Sequence, residues 1–298
     1  MQSFSRGWSF LKQAWSMAFK DKDLLKPSFY ALIVGMIVSV IGIIPIIIAA
    51  VVFGDNQIGR VIMGILGAIL MFAQFVISYV FSAMTIHLIY GYLTKGDGHI
   101  SEAWAIVRRD FFDILTLAAV STAVGMLRSM VQNNRKNNVL AGILRTAMRA
   151  VEALWTEAAL LVLPAMVIDD LNLKNGLARI VKITRENLLL IGISFVGVRW
   201  VTGLIGFVFI MIGLVLAFAI GGGIAYVAGS STVILVIGIA IGAMIFFAFV
   251  MLSSIFSSYT NTAYHTCLYI WARDVETAKA EGSSVQVMAP APLAAVLA

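Results

Sequence analysis

The sequence has little charge and almost no cysteine. Aspartate, glutamate, lysine and arginine make up 12% of the 298 residues, about half the share that is usual in soluble proteins. Cys267 is the only cysteine, which excludes an intrachain disulfide framework and a cysteine-based zinc site. The three histidines, His87, His99 and His265, show no HExxH or HxH spacing. We therefore expect no metal and no cofactor.

The familiar catalytic signatures are missing as well. The chain has no GxSxG motif, no phosphate-binding P-loop and no pair of aspartates inside its apolar runs. We therefore expect that it is not an enzyme. The net charge of +6 could indicate nucleic acid, but lysine and arginine also gather beside anionic lipid headgroups. We expect anionic membrane lipids as partners, and no nucleic acid.

Apolar residues dominate what remains. They make up 61% of the chain, and the mean hydropathy is +0.97, which predicts an all-α, polytopic bundle of about six spans. Three domains are predicted: an amphipathic interfacial helix over residues 1–26, a six-span domain over 27–272 and a largely disordered cytoplasmic tail over 273–298. The predicted spans are 28–53, 61–93, 111–127, 151–171, 188–223 and 232–271, and the last of these projects from the bilayer into the cytoplasm.

Residues 3–23 show the pattern of a helix that lies in the membrane interface. Phe4, Trp8, Leu11 and Trp15 share one face. The cations that we expect to contact lipid headgroups are Arg6, Lys12, Lys20 and Lys22. The alternative is an amphipathic helix that packs on the protein's own spans.

Charge distribution predicts an inner-membrane protein with both termini in the cytoplasm. Five cations precede the first span, and the basic loop over 170–187 agrees with this orientation. One basic cluster would then lie outside: Arg128, Arg135, Lys136, Arg145 and Arg149. Either span three crosses and this cluster works on the outer face, or span three is re-entrant and does not cross.

The fourth span carries the candidate functional residues. Glu157 lies inside it, at a depth similar to that of Arg199 in span five, and a charge at such depth is costly unless it is paired. An ion pair of Glu157 with Arg199 is predicted, as a structural clamp or as part of a pore wall; additive destabilisation by Glu157→Gln and Arg199→Gln would contradict it. Pro164 should kink the span, as a static bend or a gating hinge. Asp169 and Asp170 end it, as a helix cap or a cation site.

Small and polar residues indicate helix contacts. Gly64-x-x-Gly67 and Gly238-x-x-x-Gly242 allow close approach of helices, within one chain or in a homo-oligomer. Span six also carries a band of serine, threonine and asparagine over 253–262. This band could line a pore vestibule, or it could form ordinary hydrogen bonds between helices.

Three stretches carry a family resemblance. The opening FSRGWSFLKQAWSMAFKDKDLLKPSF resembles the start of a prokaryotic family of six-span membrane proteins of unknown function, which begins with an FxRGWxLxKxSW-type helix and a K-D-x-x-L-x-x-P step. The stretch from Trp155 through PAMVIDD, and the ending NTAYHTCLYIWARD, are similar to later motifs of that family. The family more often has a lone Glu where Asp169 and Asp170 stand. A more distant similarity is to the membrane domain of some glycerophosphodiester phosphodiesterases, without their catalytic domain, so the resemblance implies an architecture and no activity.

Two functions are consistent with these patterns. The first is a homo-oligomeric channel or transporter for ions or small solutes, which rests on Glu157, Arg199, Pro164, the polar band of span six and the basic cluster. The second is a non-transporting scaffold or accessory subunit that binds anionic lipid or a partner membrane complex through its basic helices. Whether Glu157 and Arg199 face water or pack within protein discriminates between the two.

Overall fold

A computed structural model gives the fold and describes residues 2–54, 56–133, 139–227, 231–281 and 287–297. The regular elements in these ranges are all helical, which confirms the predicted class. A short 3₁₀ turn (Lys22–Leu24) precedes the second helix, and a π-helical turn (Ala217–Gly221) follows the seventh. The helices are α1 (Gln2–Lys20), α2 (Lys26–Phe53), α3 (Gln57–Lys95), α4 (Ile100–Arg109), α5 (Phe111–Asn133), α6 (Val139–Asp169), α7 (Leu173–Leu216), α8 (Gly222–Val227), α9 (Thr232–Ala280) and α10 (Ala291–Leu297).

Six stretches of helix are long and apolar enough to cross a membrane, as the sequence predicts. They lie in α2, α3, α5, α6, α7 and α9. Two of these helices begin more than ten residues before the predicted spans, because the amphipathic segments before them continue into the apolar stretch without a break. Thus α6 begins at Val139 and α7 begins at Leu173.

Helix is found at both ends of the segment 273–298, which was predicted to be largely disordered. Helix α9 continues to Ala280, and α10 covers Ala291–Leu297. Leu293 of α10 is fully buried, and α10 packs against α1. The prediction rested on low sequence complexity and overlooked that the last residues are apolar enough to pack.

The chain forms two compact units. One contains Met1–Lys20, Leu189–Tyr264 and Met288–Ala298, and we call it the terminal unit. The other contains Asp21–Leu188 and His265–Val287, and we call it the central unit.

In the terminal unit, α1 packs one face against α9. Its buried residues are spaced as a single helical face: Phe10, Leu11, Ala14, Met17 and Ala18. The Tyr259 hydroxyl donates to the carbonyl oxygen of Ala14 (2.9 Å), and the Trp15 indole N–H donates to Thr260 Oγ1 (3.1 Å). Helix α1 therefore follows the alternative in which it packs on the protein's own spans, and the packed face is turned away from Trp8, which is exposed.

Glycine permits the closest backbone approach in the terminal unit. A Cβ added at Gly221 would lie 2.7 Å from the carbonyl oxygen of Gly238 and 2.9 Å from the Cα of Gly242. Backbone atoms cannot move aside, so only glycine fits at position 221. The predicted Gly238–Gly242 surface is thus used within the chain.

In the central unit, α2 and α3 form a long apolar hairpin. Asn56 Oδ1 accepts a hydrogen bond from the Gly59 N–H (2.7 Å) and caps α3. The Gln74 side-chain amide donates to the Gly35 carbonyl (3.0 Å) and to Ser39 Oγ (2.9 Å), which satisfies this polar group between the two helices. Elsewhere the hairpin has few contacts with the rest of the chain. In the most apolar 18 residues of α2 only 6% are buried, and in those of α3 none are.

The core of the central unit lies at the opposite end of α3 from Asn56. Side chains of α3 to α6 and of α9 are almost wholly buried there: Ile86, Leu88, Ile89, Val107, Ile114, Leu117, Leu163, Met166 and Tyr269. We call this region the packed end.

Candidate functional site

A hydrogen-bonded triad sets the level of the α5–α6 hairpin relative to α3. The hydroxyls of Tyr79 (α3) and Ser121 (α5) are 2.7 Å apart. The Trp155 indole N–H (α6) donates to the same Ser121 Oγ (2.9 Å). These hydrogen bonds hold α3, α5 and α6 at one level.

Measured from this triad, the two hairpins extend to different lengths. From Tyr79 back to Gln57, α3 extends for about 33 Å, enough to cross the hydrocarbon layer. From Ser121 to Asn133, α5 extends for only about 18 Å along its axis, towards the same end of the unit as Gln57. The α5 helix thus ends roughly 15 Å short of the far end of α3, and α6, which extends about 24 Å from Trp155 back to Val139, begins about 9 Å short of it.

This shorter hairpin is charged. Arg128 of α5 forms an ion pair with Glu152 of α6, and both side chains are half-buried. Arg149 is exposed and Arg145 is half-buried on the same arm of α6. The other two cations of the predicted basic cluster, Arg135 and Lys136, lie outside the described residues.

Glu157 lies two residues beyond the triad. Its Oε2 is 3.6 Å from Nε2 of His265 on α9, with the His265 side chain 3% exposed and the Glu157 side chain 30% exposed. The sequence did not single out His265, since nothing local shows that this helix turn faces α6. The side chain of Arg199 lies outside the described residues, so its pairing with Glu157 stays a prediction.

Asp169 belongs to an ionic network at the packed end. It accepts hydrogen bonds from the Tyr269 hydroxyl (2.5 Å) and from Arg273 Nη1 (3.2 Å), and Arg179 Nε lies 3.3 Å away. Arg179 also donates to the Tyr269 hydroxyl (3.1 Å) and pairs with Glu276. Burial disfavours the charged form of Arg179, but these contacts outweigh it and raise the pKa of the guanidinium. The network ties the ends of α6, α7 and α9 together.

Asp170 adopts a left-handed conformation (φ 53°) and pairs with Arg109 (3.2 Å). Its predicted role as a helix cap falls instead to Asn172, whose side chain accepts from the Asn175 N–H (2.9 Å). The cation-site alternative has no support among the described residues, which contain no cluster of three or more His, Cys, Asp or Glu placed to hold a metal ion.

Pro164 is buried inside α6, and the helix continues past it to Asp169. The missing N–H leaves one carbonyl of α6 without its helical partner. A Cβ at Gly176 of α7 would approach the Val162 side chain to 3.2 Å, so α7 packs closely beside this turn of α6.

The polar band of α9 is used for packing in the terminal unit. Ser253 Oγ donates to the Gly206 carbonyl (3.3 Å) and is buried. Thr260, which accepts from Trp15, is fully buried, whereas Ser257 and Ser258 are exposed. Hydrogen bonding between helices, the second alternative, accounts for the buried part of the band.

No protein-family model matches the chain, and no curated protein matches it. The resemblance to the six-span family, and the more distant one to the phosphodiesterase membrane domain, therefore remain predictions.

Proposed function

We propose that the chain is a channel or transporter for ions or small solutes, in which the α5–α6 hairpin enters the membrane from the side of the termini and does not cross it. The observation that carries this proposal is the charged α5–α6 hairpin with its Arg128–Glu152 ion pair: measured from the triad, its two described arms stop about 15 Å (α5) and about 9 Å (α6) short of the far end of α3. Charged, non-crossing segments at membrane depth are tolerated where they line water. The hairpin would form the wall of an aqueous pathway.

This arrangement also removes the conflict in the charge distribution. If the hairpin is re-entrant, the basic cluster that includes Arg145 and Arg149 opens to the same side as the N-terminal cations and the 170–187 loop. All basic segments then lie on the cytoplasmic side, as the positive-inside rule expects. Glu157 and His265 would stand at the inner mouth of the pathway.

Current through planar bilayers that contain the purified protein tests the proposal. Arg128→Gln leaves Glu152 uncompensated and should shift selectivity towards cations, whereas Glu152→Gln leaves Arg128 uncompensated and should shift it towards anions. The double variant should resemble the wild type. Glu102→Gln, on the exposed surface of α4, is the control. Absence of current from folded protein, at all voltages and salts, would overturn the proposal.

A scaffold function is the second candidate, and one observation favours it. The network of Asp169, Arg179, Arg273 and Glu276 joins three helix ends through mutual contacts, as expected of a rigid platform for another membrane protein. The same bilayer experiment separates the two functions, because a scaffold would be silent. Co-purification with a stoichiometric membrane protein would then support it.

A homo-oligomer is part of the channel proposal. An added Cβ at Gly64 or Gly67 of α3 would meet no atom within 4 Å, so this small-residue surface is not occupied by the described part of the chain. Mass photometry should give loaded nanodiscs that exceed empty ones by at least twice the 32.2 kDa of one chain, and a monomer that still conducts would remove assembly from the proposal.

A further inference from the structure

Each arm of the α5–α6 hairpin carries a polar stripe. The stripe of α5 contains Ser121, Gly125, Arg128 and Gln132, and that of α6 contains Arg145, Arg149, Glu152 and Thr156. In both stripes the positions recur at three- and four-residue intervals, so each stripe lies on one face of its helix. The two faces meet, because the Trp155 indole donates to Ser121 and Arg128 pairs with Glu152. We call the region formed by the two stripes the polar seam.

The opposite faces of the same two helices are apolar and exposed. They carry Met126, Leu127 and Met130 on α5, and Ile143, Val151 and Leu154 on α6. Lipid can cover such faces at little cost. The polar seam has a different requirement, since its exposed members Gln132, Arg149 and Thr156 need protein or water beside them at membrane depth. The hairpin therefore has an apolar side for lipid and a polar side for water.

Positive charge exceeds negative charge in the polar seam. Between the triad and the turn, the described arms carry three arginines and one glutamate. The glutamate, Glu152, pairs with Arg128, whereas Arg149 is exposed and makes no ion pair with the described residues. Helices α2 and α3 contain no aspartate or glutamate that could offset this charge. The seam therefore keeps an excess of positive charge.

The two arginines Arg128 and Arg149 lie at one level of the hairpin. Along α5, Arg128 is about 10 Å from Ser121, and along α6, Arg149 is about 9 Å from Trp155. The hydrogen bond between Ser121 and Trp155 holds the two starting points together. Since Glu152 compensates only Arg128, an ion that passes this level meets the charge of Arg149.

We propose that the solute of the pathway is a small anion, and that Arg149 selects it. This inference rests on the proposed function, because it needs the polar seam to line water. A guanidinium at about 4 Å from a passing ion should enrich anions about fivefold, and it should deplete cations by the same factor. Arginine suits this role because it stays protonated at every pH that the protein meets.

The ratio of chloride to potassium permeability tests the inference. It is obtained from the reversal potential of the current through planar bilayers that contain the full-length protein, under a gradient of KCl. We expect the wild type to favour chloride. Arg149→Gln should lower the ratio about fivefold or more, whereas Arg149→Lys keeps the charge and should keep the preference for chloride. The ratio does not depend on the number of folded molecules, so a variant that folds less well still reports it.

The control removes an arginine outside the hairpin. Arg108→Gln changes an exposed arginine of α4 and should leave the ratio unchanged. A wild-type current that favours potassium, or neither ion, would overturn this inference and leave the channel proposal standing. A ratio that stays the same in Arg149→Gln, or that falls equally in Arg108→Gln, would overturn it too. Silence of the folded wild type would overturn the channel proposal, and this inference with it.

Discussion

The two ends of the central unit bury their apolar residues in different ways. The α2–α3 hairpin has the most apolar sequence, yet almost none of it is buried by the rest of the chain. The packed end is less apolar, and it buries side chains such as Leu88 and Ile114 completely. Lipid can cover an apolar span at little cost, whereas a helix end outside the hydrocarbon must be covered by protein. Along α3, the most apolar stretch is therefore not the stretch that the protein buries.

The stability of the central unit and the crossing of the membrane depend on different parts of the chain. The packed end holds the contacts on which the fold of the central unit depends, and the α2–α3 hairpin needs only to fit the bilayer. Each of the following predictions would break or sharpen this division.

The largest contrast is expected between two truncations of similar size. Leu88→Ala removes a fully buried side chain at the packed end and should lower the free energy of unfolding by about 2–5 kcal/mol. Ile44→Ala, at a half-exposed position of α2, should change it by less than about 1 kcal/mol, because lipid fills the space. Unfolding in lipid nanodiscs measures both. Equal losses would show that the hairpin is packed against protein.

The next largest loss of stability is expected when the ionic network of Asp169 is broken. Asp169→Asn keeps the shape of the side chain but removes the charge that binds Tyr269 and Arg273, and we expect a loss of about 3 kcal/mol. Asp274→Asn is the matched control, because Asp274 contacts the same Arg273 (3.2 Å) but is 43% exposed. Its loss should stay below about 1 kcal/mol. A control loss as large as that of Asp169→Asn would contradict the special role of the network.

A smaller effect is expected for Glu157 and His265. The coupling between Glu157→Gln and His265→Gln in a double-mutant cycle should be about 0.5–1 kcal/mol, since Glu157 is partly exposed. Additive losses would show that the 3.6 Å contact has no energetic weight. The same cycle with Arg199→Gln tests the pairing predicted from the sequence.

The smallest effect is a pH dependence at Glu102 of α4. Its hydrogen bond and attraction to Lys95 lower the pKa of the carboxyl below its ordinary value of 4.5. The folded state therefore gains stability above the ordinary value, and this gain is lost as the pH falls through the lowered pKa. The small difference in Tm between wild type and Glu102→Gln should close in acid. A difference that grows in acid would contradict this sign.

The sequence predicted the apolar helices well, because run length alone distinguishes a span. The predicted start of span six, Thr232, is the start of α9, and the predicted end of span one, Phe53, is the end of α2. Side-chain partners were harder to predict. Asp169 and Asp170 were the predicted caps for α7, but Asp169 binds Tyr269 and Asp170 pairs with Arg109, and the cap is Asn172, directly before the helix. The Glu157–His265 contact joins residues more than one hundred positions apart, which no local pattern reports.

The length of the α5–α6 hairpin relative to α3 could not be predicted from the sequence either. Its apolar run is long enough to cross a membrane, and the re-entrant alternative arose only from the charge distribution. Because Tyr79, Ser121 and Trp155 lie at one level, the lengths of α3, α5 and α6 beyond that level can be compared. Hydropathy reports length and composition, and it does not report where a helix begins relative to its neighbours.

Cysteine accessibility tests most directly whether the α5–α6 hairpin is re-entrant, as proposed. The only native cysteine, Cys267, is buried, so three exposed positions can be labelled one at a time with a membrane-impermeant maleimide in sealed vesicles of known orientation: Asn56→Cys, Asp97→Cys and Gln132→Cys. We predict that Asn56→Cys reacts from one side, and that Asp97→Cys and Gln132→Cys both react from the other. If Gln132→Cys reacts from the same side as Asn56→Cys, the hairpin crosses the membrane, and the proposed pathway wall is wrong.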